Sequence, residues 1–365
     1  MSTARSPEHP RFFHLTALEE LARGRLSQSA FDYVSGGAGD ELTLRSNRSA
    51  FDRILLQPRV LTDVSRLDTS CVLLGEKLAH PILLAPAAYH CLLHPEGELA
   101  SARGAGQSGA PLVIASFATK TLEEIARAAS APLWFQLYVQ PDRGFTQALV
   151  ERAVAAGCRA VCVTVDTPVM GVRYREAGFS LPQGMTCPNL EPLRAEAVIA
   201  SHRPKGRQIY SAVMDAALQW KDVEWLRSIA KVPLLLKGIL NPADAERALE
   251  HGADGIIVSN HGGRNLDTAP ATIEALPRIA ERVAGRMPLL LDGGIRRGTD
   301  VLKALALGAT AVLIARPYLY ALALDGAEGV ARCVELLRGE FEMAMALCGR
   351  TSLAEIDGDV LWQPR

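Results

Sequence analysis

The sequence predicts an α/β fold, a TIM (β/α)8 barrel with an N-terminal helical cover and an insertion after the fourth strand. From His80 onward, eight short aliphatic runs recur, each followed by a Gly- or Pro-containing turn and a helical pattern, as in parallel strands covered by helices. No ninth run and no sign of chain reversal follows, which favours a closed barrel over an open doubly wound sheet. The 365 residues, 48% of them apolar, suffice for one such domain with extensions.

The eight predicted strands are short runs rich in Val, Leu, Ile and Ala. They cover residues 82–85, 112–115, 134–138, 160–165, 234–237, 255–259, 289–291 and 311–314. Helix signals stand between them: Thr121 with Glu124 has the spacing of a capping box. Asn241-Pro242 opens a helix that stops at Gly252, and residues 303–307 end likewise at Gly308.

Two further segments complete the predicted domain, which spans residues 1–365. Residues 1–79 are predicted to form a helical cover over one end of the barrel at 80–365, with a capping box from Thr16 to Glu19 and helices to about Arg53. Residues 176–210, rich in Pro and polar side chains, form the insertion after strand four. Long loops at the active face of an enzyme are often mobile cover, so we expect this one to cover the active site.

Composition excludes several classes of protein. Thirty-nine basic and 40 acidic residues give a net charge of −1, so no broad field attracts nucleic acid or an anionic membrane. The seven cysteines contain no CxxC pair, as expected of reduced thiols, and no metal site is predicted. The polar N-terminal residues 1–11 and the absence of an apolar run of ~20 residues predict a cytoplasmic protein without a membrane span.

The loop after strand six holds the most informative motif, at residues 259–267. It places His261 three residues before Arg264 in a turn loosened by glycine. An imidazole next to a guanidinium suits a proton acceptor beside a carboxylate clamp. A lone histidine is more often structural, but the flanking glycines and the adjacent arginine favour function here.

Strands four and five also end in polar residues. Asp166 follows strand four and leads to Arg173. A buried aspartate needs a partner, and an imidazole that becomes cationic is a natural one, although Asp166 could equally be a helix cap. Lys237 ends strand five, where a buried ammonium needs an anion such as a reduced flavin ring. A Schiff-base lysine or one that extends outward to solvent is the alternative.

Loops seven and eight carry the signature of a phosphate site. Loop seven contains Asp292, Gly293, Gly294 and Arg296, and Arg316 follows strand eight. Glycine amides and a helix N-terminus on these two loops are the usual phosphate site of barrels.

On strand three, Gln136 and Tyr138 face the same way. Far upstream, Tyr33 fits either a phenol donor or an aromatic residue that packs between helices.

In these motifs the chain resembles the FMN-dependent L-2-hydroxy acid oxidases and dehydrogenases, which include glycolate oxidase, lactate oxidase and mandelate dehydrogenase. The resemblance covers about residues 15–353. Its most specific pieces are residues 94–98, 135–138, 163–168, 236–238, 259–267 and 291–298.

The resemblance implies a role for each matching residue. His261 is the base, oriented by Asp166, with Tyr138 and Tyr33 also at the catalytic centre. Arg173, Arg264, Tyr33 and Tyr138 hold the substrate carboxylate, and Phe117 lies in the substrate pocket. The residues implied to bind FMN are Pro86, Ala87, Ala88, Ser116, Gln136, Thr164, Lys237, Ser259, Asp292, Gly293, Gly294, Arg296, Ala315 and Arg316.

Three positions depart from the family pattern. Ala115 stands where many members have a serine that contacts the flavin, and Phe117 replaces the tryptophan of plant glycolate oxidase. Ala315 precedes Arg316 where glycine is common. We therefore expect changes in ring polarity, in pocket shape and in the backbone approach to the phosphate.

The resemblance implies a homotetramer that oxidises a small L-2-hydroxy acid to the 2-oxo acid, with a hydride equivalent passing to flavin N5. The residues do not distinguish hydride from carbanion chemistry, or an aliphatic from an aryl substrate. Reoxidation by O2, giving H2O2, is expected, with a quinone or another acceptor as the alternative. A different flavin or phosphate-binding barrel is a further alternative. An isopentenyl diphosphate isomerase should lack the carboxylate site, and an IMP dehydrogenase-like enzyme would need a loop cysteine that this chain does not clearly supply.

Overall fold

The computed structural model describes residues 12–191, 209–211 and 213–362. Its centre is a closed barrel of eight parallel strands. The strands are β3 (Ile82–Leu84), β4 (Leu112–Ile114), β5 (Leu133–Leu137), β6 (Val161–Thr164), β7 (Leu234–Ile239), β8 (Gly255–Val258), β9 (Leu289–Asp292) and β10 (Ala311–Ile314). The last strand, β10, pairs with both β9 and β3, which closes the barrel. The predicted fold is confirmed, and the strand ends differ from the predicted ones by at most two residues.

A helix follows each barrel strand. These helices are α4 (Glu98–Ser108), α5 (Leu122–Ala128), α6 (Arg143–Ala155), α7 (Trp220–Ile229), α8 (Pro242–Glu250), α9 (Thr272–Val283), α10 (Gly298–Ala306) and α11 (Arg316–Leu347). The helix α11 is interrupted at Asp325 and Gly326, whose backbone angles are not helical. No helix in the described part of the chain is long and apolar enough to cross a membrane.

The N-terminal cover has the predicted helices, α1 (Leu18–Arg23), α2 (Gln28–Ser35) and α3 (Leu42–Asp52). A short antiparallel hairpin that the sequence did not reveal, β1 (Cys71–Leu73) and β2 (Glu76–Leu78), follows these helices within the cover. Its Leu73 and Leu78 pack against the side chains that fill the barrel interior, among them Leu83, Trp134 and Leu235. Side chains on both faces of the barrel strands are therefore buried, which explains why the strands are continuous aliphatic runs.

Two of the three predicted helix starts are confirmed. Thr121 and Glu124 form the reciprocal capping box that opens α5, and the Asn241 side chain accepts a hydrogen bond from the Ala243 amide at the start of α8. The capping box at Thr16 was wrong. Residues Leu15–Ala17 form a 3₁₀ turn, and α1 begins after Ala17 without a side-chain cap. The Thr16 hydroxyl lies 2.6 Å from the His14 ring, a local partner that competes with the capping bond.

Candidate active site

At the carboxyl ends of the barrel strands, a cavity of about 420 Å³ collects most of the predicted site residues. Of the predicted set, Asp166, Ser116 and Ser259 are the members that do not line it. The predicted residues that do are Tyr33, Pro86, Ala87, Ala88, Phe117, Gln136, Tyr138, Thr164, Arg173, Lys237, His261, Arg264, Asp292, Gly293, Gly294, Arg296, Ala315 and Arg316. Part of the predicted covering loop, residues 192–208, lies outside the described residues, and so do residues 1–11.

His261 and Asp166 form a largely buried pair at this cavity. The His261 Nδ1 atom lies 3.0 Å from Asp166 Oδ1, and the same carboxylate oxygen accepts hydrogen bonds from the Thr167 hydroxyl at 2.9 Å and the Asn265 amide at 3.2 Å. Because a carboxylate only accepts hydrogen bonds, this contact places the proton of the neutral ring on Nδ1. The Nε2 atom, 3.4 Å from the Tyr138 hydroxyl, is then free to accept a proton.

Burial sets the proton affinities of these groups. Burial lowers the pKa of His261, and the attraction of Asp166, which works in the opposite direction, does not overcome it. For Asp166 burial acts to raise the pKa, but the imidazole charge and hydrogen bond hold it below its usual value. Burial also raises the pKa of Tyr138 well above that of a free phenol. The resting site therefore has a neutral base, an ionised partner and a phenol that stays a donor.

The backbone of His261 is strained. Its φ is +59°, a left-handed conformation that non-glycine residues rarely adopt and that clusters at functional sites. Two contacts hold it in place: the His261 amide donates to the Ser259 hydroxyl at 3.0 Å, and the preceding Asn260 is bound to the cover. We infer that these contacts position the imidazole over the cavity.

The cover is bound to the site loops through Asn47 of α3. Asn47 and Asn260 form a reciprocal amide pair, with N–O distances of 2.9 and 2.8 Å. Gly294 packs on the Asn47 carbonyl so closely that a Cβ atom there would lie 1.9 Å from the oxygen. One cover residue thus fixes both the His261 loop and loop seven. Sequence reasoning missed this pair, because the two asparagines are 213 residues apart.

Arg173 and Arg264 converge on a third residue that the sequence reasoning did not single out. Glu176 accepts from Arg264 Nη2 through Oε1 at 2.7 Å and from Arg173 Nη1 through Oε2 at 3.1 Å. The side chains of Arg173, Glu176 and Arg264 are 9%, 12% and 14% exposed, so this is a nearly buried triad. The opposite charges of Arg173 and Glu176, three residues apart, could have predicted this ion pair from the sequence.

Lys237 has a protein counter-ion. Its ammonium lies 3.0 Å from Asp292 Oδ2 and donates to the Ser259 hydroxyl at 2.9 Å. Burial acts to lower the pKa of Lys237, but Asp292 and Asp166 raise it overall. Lys237 is therefore a permanent cation, and this ionic link gives no support to the Schiff-base or outward-pointing alternatives.

Loops seven and eight provide two partly buried arginines that form no ion pair with a carboxylate of the described residues. Among the described residues, no Asp or Glu forms an ion pair with Arg296 or Arg316, and both line the cavity. Burial lowers the pKa of Arg316 to about 10, so it is still cationic at neutral pH. Its side chain donates to the carbonyls of Val34, Gly36 and Gly262 at 2.8–2.9 Å.

The two helix N-termini beside these loops differ. At α10, Asp300 already accepts hydrogen bonds from the amides of Arg296 and Arg297, at 2.9 and 3.0 Å. At α11 the first turn contains no acidic residue and no side-chain cap. Of the two, α11 is therefore the N-terminus that is open to an external anion.

An aromatic wall faces the base. Tyr33 stacks on Phe179 at 4.7 Å between ring centroids, and Phe117 meets both Tyr89 and Tyr138 edge-on. Phe179 was missed by the sequence reasoning, although an aromatic residue in a largely polar loop is a recognisable signal. Tyr33 lines the cavity, and the Arg264 Cζ atom lies 5.0 Å from the centre of the Tyr33 ring. Tyr33 therefore does more than pack between helices.

The sequence profile of FMN-dependent dehydrogenases matches residues 22–363. The chain belongs to the FMN-dependent dehydrogenase family. An L-lactate oxidase from Nostoc sp. (strain PCC 7120 / SAG 25.82 / UTEX 2576) is 49% identical over 355 residues, which cover 95% of this chain and 97% of that protein. Glycolate oxidase 3 from Arabidopsis thaliana is 46% identical over 340 residues, 93% and 92% of the two chains. A crystal structure of mandelate oxidase with (S)-2-phenylpropionate has a TM-score of 0.87 and 42% identity, and covers 96% of this chain and 98% of that one.

The cavity of this FMN-dependent dehydrogenase fits its cofactor. Arg296 and Arg316, which pair with no carboxylate in the described part of the chain, and the open N-terminus of α11 suit a phosphate. Asp292 Oδ1 is buried and has no partner among the described residues, so a cofactor hydroxyl would satisfy it. Lys237 and Gln136 also line the cavity, where they suit the polar edge of a flavin ring.

The cavity geometry gives no support to the implied cofactor contact of Ser116. Ser116 does not line the cavity of this dehydrogenase. Its hydroxyl donates to the Gln136 carbonyl at 2.8 Å and accepts from the Tyr138 amide at 3.1 Å. It orders two residues that do line the cavity, so its effect on the site is indirect.

No cluster of three His, Cys, Asp or Glu side chains that could bind a metal occurs among the described residues.

Proposed function

We propose that this chain is an FMN-dependent oxidase of small L-2-hydroxy acids, which produces the corresponding 2-oxo acid. The observation that carries the proposal is the opening of one cavity onto both the paired base His261 and the two arginines Arg173 and Arg264. A proton acceptor beside a carboxylate clamp matches the two functional groups of a 2-hydroxy acid. The names of the relatives, L-lactate oxidase and glycolate oxidase, support the same substrate class.

In the proposed reaction, Arg173 and Arg264 bind the substrate carboxylate, and Tyr33 and Tyr138 donate hydrogen bonds to it. His261 Nε2 takes up the proton that the substrate releases on oxidation, and Asp166 stabilises the resulting imidazolium. FMN, when bound, supplies the two-electron acceptor. Lys237 would stabilise negative charge on the reduced ring, and Asp292, Arg296 and the backbone of Ala315 and Arg316 would hold the ribityl phosphate.

The pH dependence of kcat/KM should report on His261. The base must be neutral to accept a proton, and burial holds its pKa below 6.5, so kcat/KM should fall to half of its plateau value only at a pH below 6.5. Because burial raises the pKa of Tyr138, this phenol should cause no loss of activity below pH 10. In Asp166→Ala the residual activity should begin to fall at a still lower pH, since Asp166 raises the His261 pKa. An unchanged or higher pKa in kcat/KM profiles of that variant would contradict this arrangement.

Three finer properties belong to the same proposal. We infer that O2 is the electron acceptor, because the relatives are named as oxidases. The seven cysteines, all within the described residues, form no disulfide, which supports a reducing, cytoplasmic location. The homotetramer implied by the family resemblance can be checked by light scattering on the purified protein.

The decisive experiment is an anaerobic titration of the yellow holoenzyme. L-lactate, glycolate, L-mandelate and longer 2-hydroxy acids are added in turn, and flavin absorbance is followed. We expect at least one acid to bleach the flavin, and admitted air to restore the colour with release of H2O2. Absence of bleaching by every acid would refute the proposed function, and bleaching without reoxidation by air would favour a quinone or protein acceptor.

A further inference from the structure

We propose that Glu176 positions the two arginines and sets their net charge, which makes the site selective for monoanionic substrates. The inference rests on the proposed function for the substrate class. The triad consists of two guanidinium groups and one carboxylate, and therefore has a net charge of about +1. A substrate with one carboxylate brings this charge to zero. A dianion leaves an excess negative charge in a nearly buried place, which is costly.

Counting hydrogen-bond donors shows that the substrate need not displace Glu176. A guanidinium has five N–H donors. In Arg264 the known acceptors are the carbonyls of Tyr33 and Gly36, at 2.7 and 2.9 Å, and Glu176. In Arg173 they are the Arg264 carbonyl at 2.9 Å and Glu176. Among the described residues, each arginine thus keeps at least two N–H groups for a substrate carboxylate.

Glu176 also opposes the mutual repulsion of the arginines. Its two oxygens each bind one of them, so the carboxylate holds both guanidinium groups on the same side of the cavity. Of the other charges that line or adjoin the cavity, Lys237 lies against Asp292 and His261 against Asp166, and Arg296 and Arg316 are the groups proposed to face the cofactor phosphate. The charge of the carboxylate clamp therefore depends on Glu176 more than on any of these pairs.

The test compares Glu176→Gln, which removes the charge and keeps the size, with Glu176→Asp, which keeps the charge. The matched control is Glu123→Gln, because Glu123 binds Arg152 through two hydrogen bonds of 2.6 and 2.7 Å and does not line the cavity. Calorimetry on each FMN-loaded protein measures the Kd of pyruvate, a monoanion, and of oxalate, a dianion of similar size. The quantity compared is the ratio of the pyruvate Kd to the oxalate Kd.

In Glu176→Gln the ratio should shift by about tenfold or more in favour of oxalate, equivalent to about 1.4 kcal/mol. In Glu176→Asp and Glu123→Gln it should stay within about threefold of the wild-type value. A wild-type ratio in Glu176→Gln overturns the proposal, and so does a tenfold shift in Glu176→Asp. If Glu176→Gln does not retain FMN, Glu176→Ala replaces it as the variant without the charge, with the same expected shift and the same overturning result.

The same proteins separate this inference from the proposed function. Binding of pyruvate and oxalate needs no turnover, so the ratio is measurable even if no 2-hydroxy acid reduces the flavin. In that case the proposed function fails and the charge-setting role of Glu176 is still judged by the ratio. Conversely, normal flavin reduction together with a wild-type ratio of the pyruvate Kd to the oxalate Kd in Glu176→Gln leaves the proposed function intact. It overturns the inference about Glu176.

Discussion

Replacement of His261 by Gln should yield a yellow holoenzyme whose flavin is reduced about 10²–10⁴-fold more slowly by substrate, the loss expected when a positioned general base is removed. Glutamine can still donate a hydrogen bond to Asp166, but it cannot take up a proton at the place of Nε2. The groups proposed to bind the cofactor phosphate lie on other loops, so FMN should be retained. The measurement is stopped-flow reduction under anaerobic conditions.

A second histidine provides the control for this variant. His251 also lies against a carboxylate through Nδ1, at 2.8 Å from Glu224, but it ends α8 and does not line the cavity. His251→Gln should therefore reduce its flavin at the wild-type rate. Normal flavin reduction in His261→Gln would refute the assignment of the base, and equal losses in both variants would indicate a general structural defect.

The parts of this site that the sequence predicted are those that follow from local patterns and barrel topology. Short aliphatic runs mark the strands because both faces of each strand are buried. Parallel strands in a barrel all end at the same rim, so the residues that follow each run meet there. This is why His261, Asp166 and Lys237, which follow three different strands, lie beside one cavity.

The parts that the sequence did not predict depend on contacts between distant loops. The Asn47–Asn260 pair joins the cover to loop six, and no periodicity links two such positions. The positive φ of His261 is likewise held by contacts with distant parts of the chain, because histidine adopts this conformation more often than most non-glycine residues but still uncommonly. At Thr16, a local hydrogen bond with His14 replaced the predicted cap. Glu176 and Phe179 were visible as residue types, but their role depends on where the covering loop folds back.

The clamp is best tested at Arg173, because Arg264 also binds backbone carbonyls of the cover. Truncation of Arg173 to Met leaves Glu176 paired with Arg264 alone, so the clamp becomes neutral before the substrate arrives. Loss of one partner of a buried, hydrogen-bonded charge pair costs about 2–5 kcal/mol. We therefore expect the KM for the 2-hydroxy acid to rise roughly a hundredfold or more, whereas the flavin content should be unchanged.

The matched control is Arg175→Met, two residues further along the same loop. Arg175 is paired with Asp32 at 3.0 Å and Glu41 at 3.4 Å, but it does not line the cavity, so its loss should change KM little. Steady-state kinetics over a wide range of substrate concentrations measures KM for both variants. A wild-type KM in Arg173→Met would exclude Arg173 from carboxylate binding. A similar rise of KM in both variants would instead point to a general disturbance of the covering loop, because only Arg173 of the two can reach a ligand in the cavity.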